Sequence, residues 1–326
     1  MQELIEELND KQKEAVLQTE GPCLIIAGAG SGKTKVLTHK IAYLMKEKKV
    51  LPWNILAITF TNKAANEMKQ RVEKIVGDAI NDMWIGTFHS ICVRILRKFI
   101  DRIGFESSFI IFDTSDQRTL IKECLKNLGL DNDKLYTDRS VLSEISNAKN
   151  EMLEPNEYAT KYASDYRKSK IAEIYKVYQR KLKENNAIDF DDIINFTIKI
   201  LKENNEVLDY YSEKFRYILV DEYQDTNKSQ FTLIKMLATK HGNITVVGDN
   251  DQGIYSFRGA DITNILNFEK DFPGTTIIKL EQNYRCTGNI LKAANAVIKH
   301  NEKKYEKNLW TEKKEGKLPT FSMVDN

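Results

Sequence analysis

Six short runs of nearly unbroken apolar residues punctuate the chain, at 23–26, 55–60, 83–88, 217–220, 244–247 and 276–280. Each is rich in β-branched or aromatic side chains. Runs of this length without polar alternation read as strands buried on both faces. Helix-like segments separate them, and that alternation predicts an α/β protein built on a doubly wound parallel sheet. On such a sheet ligands bind outside the carboxyl ends of the strands. Between 114 and 187 the strand signal vanishes, and charged helical segments at 117–128, 141–147 and 171–184 take over. The pattern therefore predicts a sheet domain in two parts, 1–113 and 188–275, interrupted by a helical insertion at 114–187. After Pro273-Gly274 a strand and a helix (288–300) begin something new, so 276–326 reads as the start of a second domain.

The first run leads straight into Ala27-Gly28-Ala29-Gly30-Ser31-Gly32-Lys33-Thr34. A strand that ends in a glycine-rich turn and opens a helix is a phosphate cradle. Its N–H groups converge on an anion, and the helix N-terminus adds its dipole. Lys33 can reach the outer phosphates, and the Thr34 hydroxyl can ligate Mg²⁺. Ala27 stands where the general pattern has glycine, which preserves a small side chain at the turn.

Composition changes little in this picture. The 326 residues suffice for two or three domains. A net charge of +2 gives no whole-protein argument for nucleic acid, so any basic surface must be local. One such stretch exists: 161–183 holds eight basic and two acidic residues, with Tyr162, Tyr166, Tyr175 and Tyr178 interleaved. It is either a surface that tracks a nucleic-acid backbone or a solvated helix face whose tyrosines pack inward. Cys23, Cys92, Cys124 and Cys286 lack metal or redox spacing, which suits reduced thiols. No run approaches the roughly 20 apolar residues of a membrane span. The acidic start of the chain has no signal-type apolar stretch. The expected location is the cytoplasm, with no membrane partner.

Two further strand ends carry chemistry. The run 217–220 is followed by Asp221 and Glu222, the first placed to hold Mg²⁺ and the second to take a proton from an attacking water. The run 244–247 is followed by Gly248-Asp249-Asn250-Asp251-Gln252. There Gln252 can hydrogen-bond a γ-phosphate, while the two aspartates also suit an ordinary turn. Arg285 can neutralise transition-state charge, a role worth roughly 10³–10⁵ in turnover.

Taken together, several segments resemble the superfamily 1 DNA helicases of the UvrD/PcrA/Rep type, with the PcrA branch matching best. They are Leu8-Asn9-Asp10-Lys11-Gln12, the phosphate loop, Ile58-Thr59-Phe60-Thr61-Asn62-Lys63-Ala64-Ala65, Gly86-Thr87-Phe88-His89-Ser90, Asp189-Phe190-Asp191-Asp192, Asp221-Glu222-Tyr223-Gln224-Asp225, residues 247–261 and Leu280-Glu281-Gln282-Asn283-Tyr284-Arg285. They occur in the family's order. The resemblance implies a RecA-like P-loop NTPase fold with an inserted all-helical subdomain, using ATP and Mg²⁺. It also implies movement 3′-to-5′ on single-stranded DNA, unwinding of duplex DNA in repair or replication, and possible accessory proteins.

It further implies roles for individual residues. Gln12 would read the adenine edge and Tyr284 would stack on the base. The nucleotide would lie on Ala27, Gly28, Ala29, Gly30, Ser31, Gly32, Lys33, Thr34 and Lys35. Thr34 and Asp221 would hold the metal, with Lys33, Glu222, Gln252 and Arg285 catalytic. Phe60, Thr61, Asn62, Thr87, His89, Phe190, Tyr255, Phe257 and Arg258 would meet DNA, the aromatic rings standing among bases of any identity. Two positions depart from the family: Phe257 stands where relatives have Trp, and Lys35 where arginine is common. Later family motifs, including one that supplies a second arginine, have no counterpart. The chain therefore reads as part of a longer enzyme, expected to bind ATP-Mg²⁺ weakly and hydrolyse it poorly on its own. Two rival readings are a nucleotide- or DNA-binding module without turnover and the motor part of a helicase–nuclease.

Overall fold

The computed structural model of the chain describes residues 2–255, 259–300 and 305–320. Its strands are β1 (Cys23–Ala27), β2 (Ile55–Thr59), β3 (Trp84–Thr87), β4 (Ile110–Ile111), β5 (Ala187–Ile188), β6 (Tyr217–Val220), β7 (Ile244–Gly248) and β8 (Thr276–Leu280). All six apolar runs become strands of one sheet in the order β3-β2-β6-β7-β1-β8. Every pairing in it is parallel. Every residue of β1, β2 and β7 is buried, as their unbroken hydrophobicity requires. The expected α/β parallel sheet is thus present. Phe88, expected in a strand, instead opens the helix Phe88–Phe99. The two-residue pair β4–β5 carried too short a signal to read.

The chain divides into two compact units, one of residues 1–87, 212–226 and 238–326, the other of 88–211 and 227–237. These bounds differ from those read in the sequence in two ways. Residues 88–113, 188–211 and 227–237 join the helical unit, because the helix Phe190–Glu203 packs on Phe88–Phe99 and on Lys228–Leu237. Strand β8 completes the first sheet, in register with β1 from Cys23↔Thr276 to Ala27↔Leu280, where the sequence reading opens a second domain. Hydrophobicity marks a strand but does not say which neighbour it pairs with.

In the first unit a buried lysine fixes the helix Asp10–Leu17. Lys40, only 1% exposed, donates to the carbonyls of Ala15 and Gln18 near that helix's C-terminus. Burial lowers its pKa to about 8. The contact ties the Asp10–Leu17 helix to Lys33–Lys46, the helix that follows the glycine-rich turn.

The helical unit has its own core, built from side chains such as Ile121, Val141, Ile145, Ile171 and Tyr178. Tyr175 and Tyr178 pack inward at 3% and 0% exposure, whereas Tyr166 stays 74% exposed. Much of the basic stretch is already matched: Lys161, Lys170, Arg180 and Lys181 pair with Glu151, Glu173, Glu184 and Glu123. For Tyr175 and Tyr178 the packed-core alternative is therefore the one realised.

Beneath that core lies a buried ionic cluster. Lys149 contacts Asp189 at 2.6 Å and Asp192 at 2.7 Å, with all three side chains at most 3% exposed. Tyr178 donates to Asp189 at 3.0 Å, and Gln179 donates to Asp192. Asp189 also caps the helix Phe190–Glu203 through the Asp192 N–H. Desolvation by itself would lower the Lys149 pKa, but the two carboxylates overcome it and hold the ammonium charged. Burial, then the Asp189 charge, pushes Asp192 up to about 7.

Candidate nucleotide and DNA sites

Because all six strands are parallel, all six carboxyl ends open on one edge of the sheet. Strand order then sorts the chemistry. Along that edge stand Thr87 (the last residue of β3), Phe60 to Asn62 (after β2), Asp221 and Glu222 (after β6), Asp249 to Gln252 (after β7), the phosphate loop (after β1) and Asn283 to Arg285 (after β8). Adjacent strands lie roughly 4.8 Å apart. The nucleotide candidates therefore share the β6-β7-β1-β8 half, and four DNA candidates share the β3-β2 half.

The loop has the form its sequence predicts. Gly30 and Gly32 adopt φ +71° and +90°, conformations that side chains rarely tolerate. Ser31 is buried and donates its hydroxyl to the Gly28 carbonyl at 2.7 Å. The helix Lys33–Lys46 starts from Gly32 with no side-chain cap, so its first N–H groups stay available for phosphate oxygens. Ala27 is the last residue of β1 and is fully buried, which suits its small size.

Lys33 and Glu222, 189 residues apart in sequence, meet at 2.5 Å. Glu222 sits at φ 48°, ψ 43°, a left-handed conformation that costs a non-glycine residue of order 1 kcal/mol. It turns the chain immediately after β6. Asp221 beside it is 6% exposed and accepts the Glu222 N–H at 3.0 Å. Burial, then the Glu222 charge, raises its pKa to about 6, with Lys33 opposing. Asp225 is raised to about 6 by burial and then by Glu222. Acids pressed together in this way favour a nearby cation. No three His, Cys, Asp or Glu side chains form a cage among the described residues. Mg²⁺ needs none: one or two carboxylates, a hydroxyl and phosphate oxygens suffice. The hard oxygen donors of Asp221 and Thr34 fit that ion.

The raised value at Asp221 has a consequence for stability. The native state holds this proton more tightly than the unfolded chain, whose carboxyl titrates near 3.8. The group's contribution to stability therefore falls as pH rises from about 4 to about 6, and the penalty is complete above. Asp221→Asn should stabilise the protein by about 1–2 kcal/mol at pH 8 and by little at pH 4. Urea melts at the two pH values measure this, and equal effects at both would show that the carboxyl is not strained by burial.

Beyond β8 the chain lies on the phosphate loop. Asn283, 2% exposed, donates to the Ala29 carbonyl at 2.6 Å, and the Tyr284 N–H donates to the Gly30 carbonyl at 2.9 Å. A Cβ at Gly30 would stand 2.7 Å from the Arg285 Cβ, so only glycine permits this approach. Arg285 is exposed beside the loop, and Tyr284 is 46% exposed. The Tyr284 hydroxyl accepts from Asn9 at 2.7 Å and donates to Gln282 at 2.9 Å.

Other candidates stand differently. Gln12 is 2% exposed, with its amide donating to the Ser31 carbonyl at 2.9 Å and accepting the Asn9 N–H at 3.2 Å. It therefore braces the loop from behind. Lys35 pairs with Glu7, its ammonium 3.3 Å from the carboxylate. Thr61 caps the helix Asn62–Val76 by accepting the Ala64 N–H. Thr87 is 9% exposed, and Tyr255 39%. His89 and Phe190 belong to the helical unit, where their rings meet edge-on at 5.9 Å. Burial lowers the His89 pKa, which keeps the ring neutral at pH 7. Phe190 is 49% exposed. Phe257 and Arg258 lie outside the described residues.

Three residues with no role assigned from sequence complete the site. Gln224 donates to Glu222 at 2.9 Å and accepts the Asp249 N–H at 3.0 Å, joining β6 to β7. Asn283 holds β8 to the loop. Lys307 reaches Asp249 and Asp251. Gln224 and Asn283 stand inside recognisable motifs, so their motifs were a usable signal. Lys307 lies in an undistinguished lysine-rich stretch more than fifty residues from its partners, and nothing in the sequence points to it.

The family model for the UvrD/REP helicase N-terminal domain matches residues 8–273. The chain belongs to the UvrD/REP helicase family. The model for the UvrD-like helicase C-terminal domain matches residues 278–326. The ATP-dependent DNA helicase PcrA of Bacillus subtilis (strain 168) is 57% identical over 324 residues, 99% of this chain. The PcrA proteins of Staphylococcus aureus (strain Mu50) and Staphylococcus epidermidis are each 57% identical over 311 residues, 95% of this chain. The chain spans 44% of the B. subtilis relative and 42% of the other two. The phosphate loop and the Asp221-Glu222 pair both lie within the residues that match the N-terminal domain. No helix among the described residues is long and apolar enough to cross a membrane.

Proposed function

We propose that this chain carries the ATP-hydrolysing centre of a DNA helicase that moves 3′-to-5′ along single strands. The observation that carries the reading is the 2.5 Å contact between Lys33 and Glu222. It draws the phosphate-binding cation and the proton acceptor of a hydrolase into one place. The two groups neutralise each other here. A bound triphosphate would draw Lys33 onto its outer phosphates and free Glu222 to accept a proton from an attacking water. Asp221 and Thr34 would hold Mg²⁺, which neutralises charge on the β- and γ-phosphates. Gln252 and Arg285 approach the same half of the sheet edge, from β7 and β8. Tyr284 would stack on the base, and Gln12 would read the adenine edge, with its amide bond to the Ser31 carbonyl keeping it against the loop.

DNA would lie on the β3-β2 half, over Phe60, Thr61, Asn62 and Thr87, with Tyr255, Phe257 and Arg258 proposed as further contacts from their motifs; His89 and Phe190 are proposed, separately, as the DNA contacts of the helical unit. Exposed rings grip any base by stacking, worth about 1–3 kcal/mol each. A motor that must pass every sequence needs that indifference. Duplex unwinding in repair or replication, with accessory proteins, follows the same reading, and residues beyond β8 contribute to the second motor domain.

The test is steady-state ATP hydrolysis by the full natural protein that carries this chain, with and without single-stranded DNA. Turnover should require Mg²⁺ and rise at least tenfold with DNA. Tight nucleotide binding without turnover would favour a binding module instead.

A further inference from the structure

Lys307 lies 26 residues beyond the start of the Glu281–Arg285 motif, yet it is buried inside the β7 turn. Its ammonium pairs with both Asp249 and Asp251, and the three side chains are 4%, 4% and 8% exposed. It also donates to the Asn250 side chain at 3.3 Å. Its aim is fixed by its neighbours. Tyr305 donates to Glu269 at 3.0 Å, the Glu306 carbonyl accepts from Lys279 at 2.6 Å, and the Asn308 N–H donates to Glu281 at 2.7 Å. Trp310 then bonds to Glu281 and Asn283 through the backbone. This stretch is thus tied along the exit of β8.

Asp249 is the hub of what Lys307 holds. One carboxylate oxygen meets Lys307, and the other accepts the Gln252 amide at 2.5 Å. The Asp249 N–H donates to Gln224, whose own amide donates to Glu222, which in turn meets Lys33. One unbroken chain of hydrogen bonds and ion pairs therefore runs from residue 307 to the phosphate-loop lysine. A buried lysine between two buried carboxylates is also the kind of contact whose loss cannot be absorbed silently. Without the cation the two acids repel and the turn loses the arrangement that aims Gln252.

We propose that Lys307 is a positioning residue for hydrolysis: by clamping Asp249 and Asp251 it sets the Gln252 amide and steadies Glu222, and so reports the placement of the segment beyond β8 to the catalytic centre. This rests on the reading of the centre as an ATPase. Lys307 itself touches no nucleotide atom in this account, so its loss should lower kcat rather than weaken binding.

In the full natural protein, Lys307→Met should lower the kcat of ATP hydrolysis roughly 10- to 100-fold while KM for ATP changes less than about threefold. The decisive measurement is the cycle with Gln252→Ala. If Lys307 acts through Gln252, then Lys307→Met costs little further in the Gln252→Ala background, whereas a merely structural role gives losses that multiply. Multiplying losses, or an unchanged kcat, would overturn the proposal. Should Lys307→Met fail to fold, Asp251→Asn carries the same test, because it keeps Lys307 on Asp249 but takes the charge from its second anchor. A severalfold lower kcat at constant KM is then expected, and a wild-type kcat would refute the clamp. Glu222→Gln, assayed alongside, separates the two readings: if it abolishes hydrolysis while Lys307→Met leaves kcat unchanged, the clamp alone has failed, and if it leaves hydrolysis untouched, Glu222 is not the base and the reading of this centre has failed with the clamp built on it.

Discussion

Glu222→Gln should bind nucleotide normally and hydrolyse it roughly 10²- to 10⁴-fold more slowly, the usual worth of a positioned general base. The substitution is nearly isosteric and removes only the charge and the proton-accepting power. Glutamine can still take the donor from Gln224, now at 2.9 Å from the carboxylate. It can keep the bond to Lys33 through its amide oxygen, though without ionic attraction. Lys33 then becomes easier to draw onto phosphate, so nucleotide affinity should hold or rise slightly. The raised pKa of Asp221 owes its second-largest contribution to the Glu222 charge, so that carboxyl should relax toward ordinary values in the variant. Single-turnover hydrolysis together with fluorescent-nucleotide binding measures both effects. Wild-type turnover in the variant would show that the proton goes elsewhere and would leave the 2.5 Å contact as a structural ion pair.

The second large effect concerns stability. Lys149→Met should destabilise the helical unit by about 3–5 kcal/mol, because it strands two carboxylates in a site that water does not reach. Methionine fills a similar volume, so the loss is one of charge compensation rather than packing. Asp192 is already held near 7 by burial and by Asp189, even with the ammonium present. Without it Asp192 should hold its proton more readily still. A carboxyl whose native pKa lies above its unfolded value destabilises as pH rises through that interval. The deficit of the variant should therefore shrink toward pH 5 and be largest near pH 8. Lys149→Met combined with Asp192→Asn should recover part of it. Urea unfolding across this pH range is the measurement, and a deficit independent of pH would mean that the carboxylates find other partners.

These two sites differ in how far the sequence revealed them. The phosphate loop is local: strand, glycines, lysine and helix occupy consecutive positions, so the motif contains its own geometry. Asp221 and Glu222 are legible for the same reason, as polar residues ending an apolar run. Asp189 and Asp192 are also visible, and the family motif marks them, but their partner Lys149 is 40 residues upstream in a helix with no distinguishing feature. The tyrosine-rich stretch shows a related limit. Helical spacing cannot say which face is turned to the core, and only the packing of Tyr175 and Tyr178 decided it. Gln12 and Lys35 likewise stand near the loop in sequence or motif, yet one amide braces the loop from behind and the other side chain turns to Glu7.

By itself the sequence determined that this is a parallel α/β nucleotide-binding protein of the UvrD/REP helicase family, because local runs and consecutive motifs encode strands, turns and phosphate chemistry directly. The tertiary structure decided what depends on pairing between distant segments. It made β8 part of the first sheet, set β7 alone between β1 and β6 so that Glu222 meets Lys33, and threaded Lys307 into the Asp249 turn. Strand order and buried ion pairs arise from which surfaces meet when the chain closes on itself. That choice is made by the whole core at once, and no short stretch of residues carries it.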